Sequence, residues 1–320
     1  MKHQNIKQTI RSGIRSILIM LLLATLGIES KAQQDPMYTQ YMFNTLALNP
    51  AYAGTRDMLS LMALSRHQWV GFDGAPSTQT VTAHTPVASK IGLGLSLIHD
   101  KVTPTSQTGL YFDYAYRINV SDKAQLSFGL KGGFNHYQFD VNGLHAPQPG
   151  SDPTLQVPVV SKYLPNFGFG LYLYSDKYYF GASAPKLLEN KLASGEVEIL
   201  GEAGKETRHY FFMGGLVFDL NSDVKFKPSF LTKITQASPL SLDLNANFLL
   251  REKLWLGVLY RLNDSFGAMV QYQFSPQFGV GYAFDMTTNE MRNYNSGTHE
   301  IMISYEFNFK KDKVQNPRYF

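Results

Sequence analysis

Leu240-Ser241-Leu242-Asp243-Leu244-Asn245-Ala246-Asn247-Phe248-Leu249-Leu250 decides the fold class. Leu240, Leu242, Leu244, Ala246 and Phe248 alternate with Ser241, Asp243, Asn245 and Asn247, which is the period of a strand with one apolar and one polar face. Near the end of the chain the rule recurs: Ile301, Ile303, Tyr305, Phe307 and Phe309 oppose Glu300, Ser304, Glu306 and Asn308. It recurs again in Phe266, Ala268, Val270 and Tyr272 against Gly267, Gln271 and Gln273, and in Phe278, Val280, Tyr282 and Phe284 against Gln277, Gly279, Gly281 and Asp285. Helical periodicity is hard to find anywhere, so the chain reads as all-β.

Runs of this kind predict about fourteen strands, starting near Met58, Thr78, Ile91, Gln107, Lys123, Pro165, Lys177, Thr207, Val224, Leu240, Leu254, Ser265, Gln277 and His299. Most are ~9–12 residues long, the length at which a tilted strand crosses a bilayer. Every second connection is short (120–122, 175–176, 221–223, 251–252, 275–276), whereas residues 140–163 and 185–205 form long ones and 286–298 an intermediate one. Short turns on one side and long loops on the other predict a transmembrane antiparallel β-barrel of the outer membrane, with the short turns periplasmic. Aromatics at strand ends (Tyr116, Tyr260, Phe274, Phe309) suit the lipid interfaces. Charges on the polar face, among them Asp113, Arg117, Lys131, Lys227, Lys233, Asp243 and Arg261, have two readings: they line a water-filled pore, or they pair with one another or with a guest. The choice depends on register.

Composition narrows the function. The chain has 320 residues, 44% hydrophobic and 13% aromatic, with 17% charged residues and no cysteine. Disulfides, thiolate metal sites and lipid attachment at a cysteine are thereby excluded. The formal charge is +4, but the first 32 residues hold Lys2, Lys7, Arg11, Arg15 and Lys31 against Glu29 alone. Removing that excess of four leaves a neutral remainder, with no electrostatic reason to bind nucleic acid. Those residues read as a cleaved Sec-type signal peptide: a basic start, an apolar run over 17–28 too short to span a bilayer, and Ser30-Lys31-Ala32 ahead of cleavage after Ala32.

Catalytic motifs do not assemble. The eight histidines are dispersed without metal-ligand spacing, so no metal or other cofactor is expected. Gly92/Gly94, Gly168/Gly170 and Gly279/Gly281 lie inside alternating strands on the polar face, where glycine removes bulk from the lumen rather than cradling a nucleotide. Gly181-Ala182-Ser183-Ala184-Pro185 lacks the second glycine of a nucleophile elbow, and Asn135-His136 has no legible acid and serine partners. The chain is therefore read as no enzyme.

One segment carries specific information: Gln34-Asp35-Pro36-Met37-Tyr38-Thr39-Gln40-Tyr41-Met42-Phe43-Asn44, followed by Leu48-Asn49-Pro50-Ala51-Tyr52-Ala53-Gly54. Asp-Pro and Asn-Pro start turns, and its Tyr, Met and Phe, having no strand partner of their own, must be buried against something. They brace or plug the barrel mouth, or they dock a partner, and both can hold. Together with the run from Arg66 to Thr80 (RHQWVGFDGAPSTQT) and Gly92-Leu93-Gly94-Leu95, the segment resembles the PorP/SprF family of type IX secretion membrane proteins of the Bacteroidota. The resemblance runs through nearly the whole mature chain, and Gln33 as the expected new N-terminus is similar to exported proteins of that group.

The resemblance implies an outer-membrane barrel of the type IX export and gliding-motility apparatus, which supports export or surface attachment of a large adhesin by receiving its C-terminal domain, with periplasmic secretion components beneath. The expected division is a signal peptide (1–32), a periplasmic or mouth-bracing segment (33–56), the barrel (57–310) and a periplasmic tail (311–320). The tail makes either Phe309 or Phe320 the terminal aromatic of the assembly signal. Expected partner-binding residues are Asp35, Pro36, Tyr38, Gln40, Tyr41, Asn44, Asn49, Pro50, Tyr52 and Gly54, with Trp69, Gly71 and Phe72 at the first outer turn. Outer-membrane lipid is the remaining partner. A rival reading is a transport channel for a hydrophobic small molecule, because Asn49-Pro50-Ala51 and about fourteen strands also resemble the long-chain fatty-acid channels. That rival requires an apolar ligand pocket in the lumen.

Overall fold

The computed structural model describes residues 35–140, 160–192, 205–236 and 238–307. The expected signal peptide and cleavage site, Phe309, Phe320, the tail and the tips of the two longest loops lie outside them.

Alternation builds an antiparallel wall of segments: β1 (Leu59–His67), β2 (Ser77–Ala88), β3 (Ile91–Val102), β4 (Thr105–Ser121), β5 (Ala124–Phe139), β6 (Val160–Ser175), β7 (Tyr178–Ala184), β8 (His209–Leu216), β9 (Phe218–Asp219), β10 (Val224–Thr235), β11 (Ser241–Leu250), β12 (Leu254–Arg261), β13 (Ser265–Gln273), β14 (Phe278–Thr287) and β15 (Thr298–Phe307). Only Val217 separates β8 from β9, which pair along the same neighbour β10, so the fifteen segments form fourteen wall strands. Each strand pairs with its neighbours in sequence, and β1 pairs with β15 from Leu59↔Phe307 to His67↔His299. That last ladder closes the sheet into a barrel and leaves no free edge at the seam, the condition for a sheet to sit in lipid.

The two faces are inverted relative to a soluble sandwich. Along β11, Asp243, Asn245, Asn247 and Leu249 are buried inside the barrel, while Leu244 and Phe248 are exposed on the outside. Phe112, Leu130, Phe167, Val258, Phe266 and Ile301 are likewise exposed. Such a surface would aggregate in water and is stable when hydrocarbon covers it. Aromatic clusters mark the strand ends, among them Tyr272, Phe274 and Phe278 at the short-turn rim and Tyr163 stacked on His136 at the other. Among the described residues no helix is long and apolar enough to cross a membrane, which says nothing of strands.

Strand starts fall within two residues of expectation except that of β6, which begins at Val160 rather than near Pro165. Pro165 has no N–H to give, but its carbonyl faces the 185–192 connection, where Asn190 Nδ2 donates to it at 2.9 Å, so no ladder bond is lost on that side.

Leu130, near the middle of β5 and 62% exposed, tests the lipid face. Leu130→Arg is expected to destabilise the barrel by about 2–4 kcal/mol. The check is denaturant unfolding in vesicles, with Gly132→Ala, beside which no heavy atom lies within 4 Å, expected to be neutral.

Candidate functional site

The interior is occupied by the chain's own N-terminal segment. Asp35 lies at the long-loop end of the lumen beside Lys186 and His209; Arg56 leaves at the short-turn end, paired with Glu306 and with Tyr52. Between them the segment makes tight turns, a four-residue helix (Thr45–Leu48) and a 3-10 turn (Pro50–Tyr52). Tyr38, Gln40, Tyr41, Asn44, Asn49, Pro50, Tyr52 and Gly54 are all buried. The residues named from the sequence thus come together, but as an inner plug rather than a free surface. A partner reaching them would have to displace the segment or meet it at an end.

Two kinds of contact hold it. In its first half charged and polar contacts accompany the apolar packing of Met37, Tyr38, Tyr41 and Met42. Glu300 accepts the backbone N–H groups of Thr39 (2.9 Å) and Gln40 (2.8 Å), one on each carboxylate oxygen. The Thr39 hydroxyl donates to Asp285 at 2.5 Å and accepts from Arg66 at 2.7 Å, while Arg66 pairs with Asp285 (2.9 Å) and Glu300 (3.0 Å). The Tyr38 hydroxyl meets Thr80 at 2.9 Å; that of Tyr41 donates to Ser229 at 3.3 Å and accepts from Asn245 at 3.0 Å. Asp35 lies 2.7 Å from the Lys186 ammonium and gives its backbone N–H to His209. Burial pushes the Asp35 carboxyl up, but Lys186 and His209 more than offset this and hold it at about 2. Pro36 is half-buried beside it.

In the second half, wall glycines admit the segment's backbone. A Cβ at Gly129 would sit 2.1 Å from Ala51 N, one at Gly92 2.1 Å from Ala53 O, and one at Gly170 2.1 Å from Asn49 Oδ1. Asn49 caps the 3-10 turn by accepting from Ala51 N at 3.0 Å and donates to Leu171 O at 2.9 Å; Pro50 sits where its missing N–H costs nothing. Gly54, at φ +73°, donates to His84 and accepts from Arg117 at 2.8 Å. Ser183, the serine of the incomplete elbow, donates to Leu48 O at 2.7 Å, a bracing contact.

Wall charges pair among themselves as well as with the segment: Lys131 with Asp113 at 2.8 Å, and Arg261 bidentate on Asp243. Sequence reasoning missed the inward-facing apolar residues. Met62, Tyr172, Tyr179, Phe211, Met213, Trp255, Met269 and Met302 point into the barrel and pack with Tyr41, Met42, Leu46 and Tyr52 as one core. Their signal was legible as apolar side chains in the polar phase of their strands, positions a water-filled pore would leave hydrophilic. Among the described residues, open space includes a cavity of about 60 Å³ beside Asp35 and two at the short-turn end, of about 240 and about 620 Å³.

Trp69, Gly71 and Phe72 stand apart from the plug, in the β1–β2 connection at the long-loop rim. Trp69 adopts φ 48° and Gly71 φ +96°, and Val70 exchanges backbone bonds with the 288–297 connection through Gly297 O (2.9 Å) and Ser296 N (2.8 Å). Phe72 is 46% exposed on this braced loop.

Closed, lipid-faced and filled from within, the chain is an outer-membrane type of β-barrel, a non-enzymatic kind of protein. It belongs to the family of type IX secretion system membrane proteins PorP/SprF, whose pattern it matches over residues 30–305. Membrane lipid and components of that secretion system are the partners that membership implies. No curated protein matches the chain. Among solved structures it is similar to the CymD monoaromatic hydrocarbon channel (12% identity, TM-score 0.48, covering 85% of this chain and 93% of that one). It is also similar to the outer membrane protein Omp33 of Acinetobacter baumannii (9%, 0.45, 78% and 98%) and to the NanC porin (10%, 0.41, 78% and 99%). At those scores the likeness carries nothing about function.

Gly129→Val is expected to free the second half of the plug while the wall still closes. Limited proteolysis should then cut within residues 45–55, and the barrel should stay heat-modifiable in gels. A carboxyl lowered from 3.8 to about 2 stabilises the docked state above about pH 4, and that stabilisation is lost as pH falls through 2. Pepsin should therefore spare residues 35–44 at pH 4 and cut them near pH 2, with Lys186→Met moving the onset upward.

Proposed function

We propose that this barrel works in type IX secretion and gliding by supporting the export or surface anchoring of a secreted adhesin, whose C-terminal domain it binds. The observation that supports this most is the filled lumen. A ring whose interior is taken up by a stretch of its own chain offers a fixed stop rather than a wide conduit. Short turns face the periplasm in outer-membrane barrels. On that rule the Asp35 end of the plug and the braced Trp69, Gly71 and Phe72 loop face the cell surface, and the Arg56 end faces the periplasmic secretion components. Phe72 is the external anchor of the docking surface, since an exposed aromatic on a loop with little freedom to lose binds at low entropic cost. Asp35, Pro36, Tyr38, Gln40, Tyr41, Asn44, Asn49, Pro50, Tyr52 and Gly54 act from inside, by setting the shape and stiffness of the ring that the partner meets.

The rival reading, a channel for a hydrophobic small molecule, needs a free apolar pocket. The inward apolar residues are covered by the plug, and the cavity of about 240 Å³ is lined largely by polar groups such as Gln271, Gln273, Ser304 and Glu306. Saturable binding of a fluorescent fatty acid, abolished by lumen substitutions, would favour the channel.

Affinity purification of the tagged barrel from gently solubilised outer membranes tests the main reading. Recovery of a large secreted surface protein supports it, and recovery of the barrel with lipid alone contradicts it. Tyr38→Ala with Tyr41→Ala is expected to leave a heat-modifiable barrel and reduce surface display of the partner several-fold; unchanged display would make the segment a brace only.

A further inference from the structure

The wall residues Arg66, Asp285 and Glu300 form a cluster that is incomplete by itself. All three are almost fully buried, and the two carboxylates exceed the single guanidinium by one negative charge. Arg261, paired with Asp243, also acts electrostatically on Asp285, and what completes the cluster's hydrogen bonding in the folded chain is a piece of peptide: two successive backbone N–H groups, one on each oxygen of Glu300, and a hydroxyl between Asp285 and Arg66. A buried carboxylate stripped of such donors costs several kcal/mol. The cluster therefore selects a ligand that presents consecutive amide donors and an adjacent hydroxyl. A hydrocarbon tail has none of these groups.

The resident segment also fits it imperfectly. Arg66 Nε, Asp285 Oδ1 and Gln40 Oε1, together with both side-chain polar atoms of the nearby Asn44, are buried without a hydrogen-bond partner. Such atoms are individually costly to bury. The second half has unpartnered atoms of its own, at Arg117 Nε beside Gly54 and at the Tyr172 hydroxyl beside Tyr52, but its backbone is let into the wall at Gly92 and Gly129. The two halves meet at Asn44 and the short helix Thr45–Leu48.

We propose that the Arg66–Asp285–Glu300 cluster is a peptide-binding site, occupied in cis by Thr39 and Gln40 and open to replacement in trans by a peptide segment of the secreted partner. Residues 35–44 leave the wall, turning about Asn44, while Asn49 to Gly54 stay in the glycine cradle. The identity of the incoming peptide rests on the anchoring function proposed above; the site and its exchange do not.

The absence of cysteine gives a direct test. In the full chain carrying Met37→Cys, a position whose side chain is buried in the plug, maleimide labelling reports release of residues 35–44. The probe is the synthetic peptide Asp-Pro-Met-Tyr-Thr-Gln-Tyr-Met-Phe-Asn, a copy of residues 35–44. A short tether gives its segment an effective concentration on the order of millimolar, so free peptide at about 5 mM should raise the labelling rate several-fold. A copy with valine for threonine should be much weaker, and Ala51→Cys should remain unlabelled throughout. Labelling of the Met37→Cys chain that the peptide leaves unchanged overturns the proposal, as does equal acceleration by the valine copy. Because folding could suffer in the cysteine variant, a second measurement uses the native chain: the fluorescein-labelled peptide should bind saturably and lose binding with Glu300→Gln, and absence of binding overturns the exchange. Neither readout involves the secreted partner, so failure to capture an adhesin would leave the site standing, and failure here would leave the anchoring function standing.

Discussion

Everything inside this barrel depends on one constraint: a charge on the inner wall, shielded from water by a packed lumen, must find its partner within the chain. Glu300 meets it with the N–H groups of Thr39 and Gln40 and with Arg66; Asp285 meets it with Arg66 and the Thr39 hydroxyl. Taking away either party leaves a buried uncompensated group, at about 3–5 kcal/mol for a broken ion pair. The inner wall is thus one half of an interface, and residues 35–55 are the other. The outer wall carries the opposite logic. Its Leu, Phe, Val and Ile side chains touch one another across neighbouring strands, as Phe226 does Phe248, and leave the rest of their surface for lipid to cover.

The wall is shaped to the plug along its whole length. Where the segment carries amide, hydroxyl and carboxylate groups, the wall offers His209, Thr80, Asp285 and Glu300; where its backbone comes close, the wall offers Gly92 and Gly129, and where the Asn49 side chain does, Gly170. Between these lies an apolar layer in which Tyr41, Met42 and Leu46 pack with Tyr179, Phe211 and Met302. Residues 35–54 lie inside the barrel, and Trp69, Gly71 and Phe72 lie at its rim, in the β1–β2 connection.

Much of the wall was legible because its cause is local. Side-chain direction reverses at each residue of a strand, so the alternation in β11 or β15 declares which side chains meet lipid. Turn asymmetry declares the rims. Pro165 hid the start of β6, since a proline reads as a break wherever its neighbour on the far edge is unknown. The interior was less legible because its contacts join residues more than 200 positions apart, as Thr39 with Asp285 and Glu300. Charges on a polar strand face read equally as pore lining or as paired groups until register is known. The glycines were recognised as bulk removed from the lumen, but only the approach of Ala51 and Ala53 explains which ones are needed.

The most direct measurement of the central claim is conductance of the purified chain in planar bilayers. A lumen filled by its own segment predicts no steady open-pore steps from the intact chain, and stable steps once residues 35–54 are removed from a barrel that remains heat-modifiable. Large, steady steps from the intact chain, unchanged by that deletion, would show that the segment does not fill the lumen and would contradict the account.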